Sequence, residues 1–352
     1  MKRYGNLYEK IYNMENLKLA HQHAKKGKGW YKEVIEVDAN EEYYLTLLQQ
    51  MLIDKTYHTS KYETFIKKDS GKEREIFKLP YFPDRICQWA ILQVIEPILI
   101  NSFTKDTYSA IPERGIHLCY NRLKNSIQKD VPGTQYTLKM DAKKYYPSID
   151  HDILKTKYRR IFKDNNLLWL LDEIIDSTDG KTGIPIGNYL SQYCGNFYFA
   201  SFDHWIKEVK GVKYYFRYMD DIVIMHESKE YLHQLKKEID EYFWQELKLT
   251  LKGNWQVFPT FIRGIDFVGY RVFLNYSLLR KSTCKQFKAK MVKVNCKRLN
   301  GQELTYSEWC SINSYKGWLI HCDSYRLQEK YIVPIAQYAK DYYTNNIQRK
   351  AA

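Results

Sequence analysis

The sequence predicts an α+β fold. Residues 212–218 and 222–225 are runs of alternating, β-branched and aromatic side chains, the pattern of two strands joined tightly at Met219, Asp220 and Asp221. Upstream, Gln135, Thr137, Lys139 and Asp141 alternate with Tyr136, Leu138 and Met140, so a further strand carries an acid at its carboxyl end, on its less apolar face. Around these lie helical patterns. Tyr44, Leu45, Leu47, Leu48 and Leu52 make an apolar stripe within residues 40–53, and residues 84–100 read as a strongly apolar core helix.

A chain of 352 residues with 44% hydrophobic content can bury one large core or two to three modest ones. Its formal charge of +14 and 16% aromatic content point to nucleic acid, because cations neutralise phosphates and rings stack on bases. A basic protein that is merely soluble, or that binds an anionic membrane, is the plainer alternative. No run of about eighteen apolar residues occurs and MKRYGNLYEK has no apolar signal core, so a cytoplasmic protein without a membrane partner is expected. The seven cysteines form no CxxC pair, the histidines form no HExxH pattern, and His21 with His23 stands too isolated to suggest a metal site.

In chain order, residues 16–27 predict a short amphipathic helix ending at a glycine. Residues 64–80 read as a hairpin turning at Asp69-Ser70-Gly71, with Lys67, Lys68, Lys72 and Arg74 projecting from it. Such a basic ribbon can cover a triphosphate, although a solvated hairpin looks the same in sequence. A turn-rich piece around Arg114 leads to a helix at 117–127. After Asp141, Tyr145 and Tyr146 follow within one turn; a core position suits Tyr145, and the Tyr146 ring is placed to lie against a nucleotide sugar. The glycines at 180, 183 and 187 let a ligand approach the backbone closely before a helix whose first turn holds Ser191 and Gln192. This is no Walker motif, since GxxxxGK[ST] is missing. Further on come a helix at 229–245, a strand at 264–273 that bends at Gly269, a basic helix face at 280–298 carrying Lys281, Lys285, Lys288, Lys290, Lys293 and Lys297, and an aromatic-rich helical end.

An Asp-Asp pair in a turn is ordinary turn chemistry by itself. Here it is accompanied by a third acid on a separate strand, a basic ribbon before it and a glycine loop between. Two adjacent acids repel each other, and a divalent cation is the commonest remedy.

In that order the pieces resemble a reverse transcriptase over nearly the whole chain. The family's strand-end aspartate and YxDD hairpin fall on Asp141 and Tyr218-Met219-Asp220-Asp221. The resemblance implies a right-hand polymerase fold: N-terminal extension and fingers with the first palm elements at 1–130, a palm of antiparallel sheet packed on helices at 131–273, and a helical basic thumb at 274–352. It also implies RNA-directed DNA polymerase activity. Asp141, Asp220 and Asp221 would be the catalytic and metal-binding residues, holding two Mg²⁺ ions, with Mn²⁺ able to substitute. Lys67, Arg74, Tyr146, Ile186 and Gly187 would meet the nucleotide triphosphate. Tyr218, Met219, Ser191, Gln192, Gly269, Lys285 and Lys288 would meet primer and template.

DRI at 84–86, RGIH at 114–117 and SYKGWL in the thumb resemble the bacterial branch that includes group II introns, retrons and diversity-generating retroelements. Most relatives read QGxxxSP where this chain has Ile186-Gly187-Asn188-Tyr189-Leu190-Ser191-Gln192, the form similar to that of diversity-generating retroelements. That implies a bacterial or phage enzyme that copies a template-repeat RNA into cDNA, with errors at template adenines, to diversify a variable repeat in a target gene. The implied partners are template RNA, the cDNA or primer strand, dNTPs and a small, basic, oligomeric accessory variability protein. The lysine-threonine pair of many relatives is replaced by Lys252-Gly253-Asn254-Trp255, which leaves Lys252 a weak candidate for protonating pyrophosphate. The alternatives are a retron-type or other bacterial reverse transcriptase, and a catalytically silent RNA-binding relative.

Overall fold

A computed structural model describes residues 3–69 and 72–348. The chain forms two compact units: Met1–Arg114 with Lys139–Ile222 and His233–Trp255, and Gly115–Leu138 with Val223–Leu232 and Gln256–Ala352.

The first unit opens with short helices. The one expected at 16–27 is Met14–Lys25, capped by Asn13, whose side chain accepts from the Glu15 N–H at 2.9 Å. Glu41–Ile53 forms close to its expected place and buries Leu45, Leu48 and Leu52. Between them Lys32–Ala39 is a helix that the sequence pattern does not announce. Its Val and Ile content argues against helix, and burial of Val34 and Val37 prevails.

His21 is not isolated in space. It is fully buried, with Nε2 2.7 Å from Asp38 Oδ1 and 3.8 Å from Glu41, and Nδ1 2.8 Å from the Tyr81 hydroxyl. Lys25 Nζ also lies 2.7 Å from Asp38 Oδ1, so this carboxylate is already engaged by two side chains and ties the short helices together.

The basic ribbon is the antiparallel pair β1 (Glu63–Asp69) and β2 (Lys72–Lys78), with Lys67 opposite Arg74. Its expected turn residues Ser70 and Gly71, and the side chains of Lys68 and Lys72, lie outside the described residues. Behind it Ile86–Asn101 buries Ile86, Cys87, Ala90, Ile91, Ile95 and Leu99, as expected of a core helix. Helices His151–Ile161 and Asn165–Ile175, each started by an aspartate cap, add a further layer. Tyr189–His204 is buried over most of its length, from Tyr193 to Ala200 on every side, the mark of a central helix.

A four-stranded sheet follows the order β4 (Tyr214–Tyr218), β5 (Asp221–His226), β3 (Tyr136–Asp141) and β6 (Gln256–Pro259). β3, β4 and β5 fall where the alternation places them, except that Asp221 is the first residue of β5 and not part of the turn.

In the second unit, the strand expected at 264–273 is instead a hairpin. β7 (Ile265–Phe267) and β8 (Tyr270–Val272) pair antiparallel, and β8 pairs with β9 (Ser277–Leu279). The reversal happens because Val268 (φ 42°) and Gly269 (φ 89°) both adopt left-handed backbone. Helix Lys281–Leu299 buries Phe287, Met291 and Val294 and leaves Lys285 and Lys288 exposed.

Gly269 is constrained twice. Its backbone disfavours a side chain, and an added Cβ would stand 2.3 Å from the Trp318 ring. Gly269→Ala is therefore expected to lower unfolding stability by about 2–3 kcal/mol. An unchanged urea midpoint would show that the hairpin yields without strain.

Candidate active site

Three backbone segments are tied where β3 ends and β5 begins. The Ala142 N–H donates to the Asp220 carbonyl (3.3 Å), the Lys252 N–H to the Asp141 carbonyl (2.9 Å), and the Lys143 N–H to the Thr250 carbonyl (2.8 Å). These bonds bring together acids that lie far apart in sequence. The Asp220 and Asp141 side chains hydrogen-bond, and burial together with the Asp141 charge pushes the Asp220 carboxyl up to about 7. Lys252 Nζ stands 2.5 Å from Asp141 Oδ1, and Lys139 Nζ stands 3.6 Å from Asp221 Oδ2.

A buried ion pair underlies this turn. Arg217, fully buried in β4, reaches Asp203 through Nε (2.7 Å) and Nη2 (2.5 Å). Its Nη1 donates to the Met219 carbonyl at 3.0 Å and to Asn196 Oδ1 at 3.2 Å. Asp203 also accepts from the Tyr215 hydroxyl (2.5 Å) and from Thr107 Oγ1 (2.9 Å). A buried pair is tolerable when its remaining donors and acceptors are met in this way. Met219 itself has φ 54°, so the Arg217 bond steadies a strained turn residue.

The opposite wall is the glycine loop. The Phe77 N–H of β2 donates to the Ile186 carbonyl (2.8 Å), the Ile184 N–H donates to the Tyr146 carbonyl (3.0 Å), and Asn188 Nδ2 donates to the Tyr62 hydroxyl (3.0 Å). Gly187 has φ 130°, and a Cβ there would fall 2.4 Å from the Phe77 carbonyl oxygen, so only glycine lets the loop lie this close to the ribbon. Tyr146 donates from its hydroxyl to Met219 Sδ (3.6 Å). Tyr145 is buried, its hydroxyl bonded to the Gly195 carbonyl, in keeping with the core position expected for it.

These walls enclose a cavity of about 560 Å³. Of the residues singled out in the sequence, Arg74, Asp141, Tyr146, Ile186, Gly187, Ser191, Gln192, Tyr218, Met219, Asp220 and Asp221 line it. Lys67 does not, but it sits opposite Arg74 on the ribbon and is exposed. Gly269, Lys285 and Lys288 belong to the second unit. Lys144, Tyr145, Pro147, Asn188 and Lys252 complete the lining, and Arg217 supports it from behind.

The donor set suits a divalent cation. Two carboxyls this close cannot both ionise without a counter-charge, and Lys252 supplies one from a single side.

Residues 66–271 match the family model described as reverse transcriptase (RNA-dependent DNA polymerase). The chain belongs to the reverse transcriptase family. Curated members similar to it include protein YkfC of Escherichia coli (strain K12), 25% identical, with 59% of this chain and 65% of the relative covered. The group II intron-encoded protein LtrA of Lactococcus lactis subsp. cremoris is 23% identical, with 59% of this chain and 36% of the relative covered. This reverse transcriptase chain thus spans less than two thirds of the length of either. Among solved structures, a telomerase from Candida albicans in complex with a TWJ fragment of telomeric RNA superposes with a TM-score of 0.50 at 10% identity, over 68% of this chain and 52% of that one. A likeness at that identity concerns the fold alone, and it bears out the expected α+β polymerase fold of the family. Among the described residues no helix is long and apolar enough to cross a membrane.

Proposed function

We propose that this chain is an RNA-directed DNA polymerase and, more narrowly, the reverse transcriptase of a diversity-generating retroelement. The observation that carries the first part is one cavity in which Asp141 and Asp220 share a hydrogen bond, faced by a cationic ribbon residue, Arg74. Asp141 and Asp220 would hold Mg²⁺, with Asp221 completing the anionic site. When bound, the ions supply activation of a primer 3′-hydroxyl and stabilisation of the departing pyrophosphate. Arg74, with Lys67 across the ribbon, meets the triphosphate charge. Tyr146 presents its ring to the nucleotide sugar and bars a 2′-hydroxyl, while Gly187 allows the nucleotide close to the backbone. Lys252 Nζ, held on Asp141, would be the candidate to carry a proton to the pyrophosphate. Fingers (1–130), palm (131–273) and thumb (274–352) are the assignment that goes with this reading, and a basic accessory variability protein in a bacterial or phage-bearing cytoplasm its setting.

The narrower part rests on residues 186–192. Ile186 lines the cavity with an aliphatic side chain that offers no hydrogen bond to a nascent pair, so correct and incorrect geometries differ less in free energy. Ile186→Gln is expected to lower misincorporation at template adenines several-fold, since one recovered hydrogen bond is worth about 0.5–1.5 kcal/mol. Deep sequencing of cDNA copied from a defined RNA reads this out. An unchanged error spectrum would leave Ile186 a packing residue only.

A further inference from the structure

Within the first unit, helices His151–Ile161, Tyr189–His204 and Lys229–Leu247 border a cavity of about 360 Å³ that shares no lining residue with the one holding the carboxylates. That volume suits a small molecule. Burial, and then the charge of Arg160, push the Lys157 ammonium down to about 8. Its Nζ donates to Ser201 Oγ, and Ser201 also hydrogen-bonds Tyr242, whose ring is fixed against Trp205 with centroids 4.7 Å apart. No carboxylate answers these cations directly, for neither Lys157 nor Arg160 makes an ion pair among the described residues. Asp203, whose field reaches Lys157, is already engaged by Arg217 and Tyr215. Lys248, also on the lining, is held by Asp150 at 2.9 Å.

The rim has the opposite sign. Asp152 and Glu246 line the same cavity and are exposed, so they repel any chain of phosphates that would run past them, yet they accept hydrogen bonds from hydroxyl groups. Two neighbouring cations that repel each other and lack a counter-ion call for an oxyanion, with the hydroxyls of Ser201 and Tyr242 beside it. The two ends together select one anionic group on a hydroxylated, otherwise neutral body.

We propose that this cavity binds a small phosphate monoester with a polyol body, the chemistry of a sugar phosphate. Lys157 and Arg160 hold the phosphate, the Tyr242 hydroxyl donates to it, and hydroxyls of the polyol donate to Asp152 and Glu246. A monoester dianion matches two cations, whereas a nucleic-acid backbone carries one charge per phosphate and continues past the rim acids. The site stands apart from the polymerase reading and does not depend on it.

The test is isothermal titration calorimetry of the full chain, free of nucleic acid and in EDTA, with ribose 5-phosphate as the probe. The wild-type chain is expected to bind one equivalent. Lys157→Met and Arg160→Gln each weaken binding at least about tenfold, and ribose and inorganic phosphate each bind at least about tenfold more weakly than the ester. Arg74→Gln leaves the affinity unchanged, and a 5′-phosphorylated RNA oligonucleotide does not displace the probe. Arg160 is exposed, so Arg160→Gln keeps the test decisive even where Lys157→Met fails to fold. Absence of saturable binding to the wild-type chain overturns the proposal, as does undiminished binding in Arg160→Gln. Loss in Arg74→Gln overturns it because the probe then occupies the cavity of the carboxylates, and displacement by the oligonucleotide because the cavity is then a nucleic-acid contact. Inorganic phosphate binding as tightly as the ester overturns it too, since the rim acids then recognise nothing.

Discussion

Asp220→Asn is expected to reduce primer extension on an RNA template by at least about a thousandfold, with the affinity for the primer–template changed by less than about threefold. The separation follows from where the charges lie. Asp220 sits in a cavity with another carboxyl that it contacts directly, so removing its charge removes half of the anionic pair that would accept a cation. Nucleic-acid affinity is expected to come instead from lysines and arginines that would meet phosphates, such as the exposed Lys285 and Lys288 on their own helix. Single-turnover kinetics beside an equilibrium titration decide it. A variant that extends primers at near-normal rate would remove Asp220 from the chemistry, and parallel loss of binding would indicate a misfolded turn.

The second large effect is expected behind the turn. Arg217→Met leaves Asp203 charged and buried, and should destabilise the fold by about 3–5 kcal/mol. The double variant Arg217→Met with Asp203→Leu removes both charges and should recover most of that stability, because an apolar pair of similar volume often replaces a buried ion pair without loss. Primer extension should remain depressed in the double variant, since the Met219 carbonyl has lost its donor and the strained turn its support. Urea unfolding and primer extension on the same preparations separate the two roles. Recovery of both would make the pair a stabilising element only.

Much of the cavity's lining was legible because its signals are local. A strand alternates every two residues, so Asp141 and the Tyr218–Asp221 segment could be placed on strand ends without knowing what packs against them. The glycine loop announced itself by Gly183 and Gly187, which adopt left-handed backbone. What escaped was pairing across distance. Arg217 reads as one more residue of an alternating strand, and Asp203 as a polar residue near the end of an apolar helix; nothing in either stretch says that they meet. Lys252 was a weak candidate because its neighbours in sequence did not reveal that it reaches Asp141. His21 looked solitary for the same reason, since its partners Asp38 and Tyr81 sit on other elements. The hairpin at Ile265–Val272 was misread as one bent strand because Val268, a β-branched residue, takes a backbone conformation it rarely adopts.

The most direct measurement is primer extension by the wild-type chain on a defined RNA template with all four dNTPs and Mg²⁺, followed with a labelled DNA primer. Template-directed lengthening that stops when the cation is chelated is the predicted result. A chain that binds the same primer–template tightly, yet adds no nucleotide with Mg²⁺ or Mn²⁺, would contradict the account and leave an RNA-binding relative that has lost its chemistry.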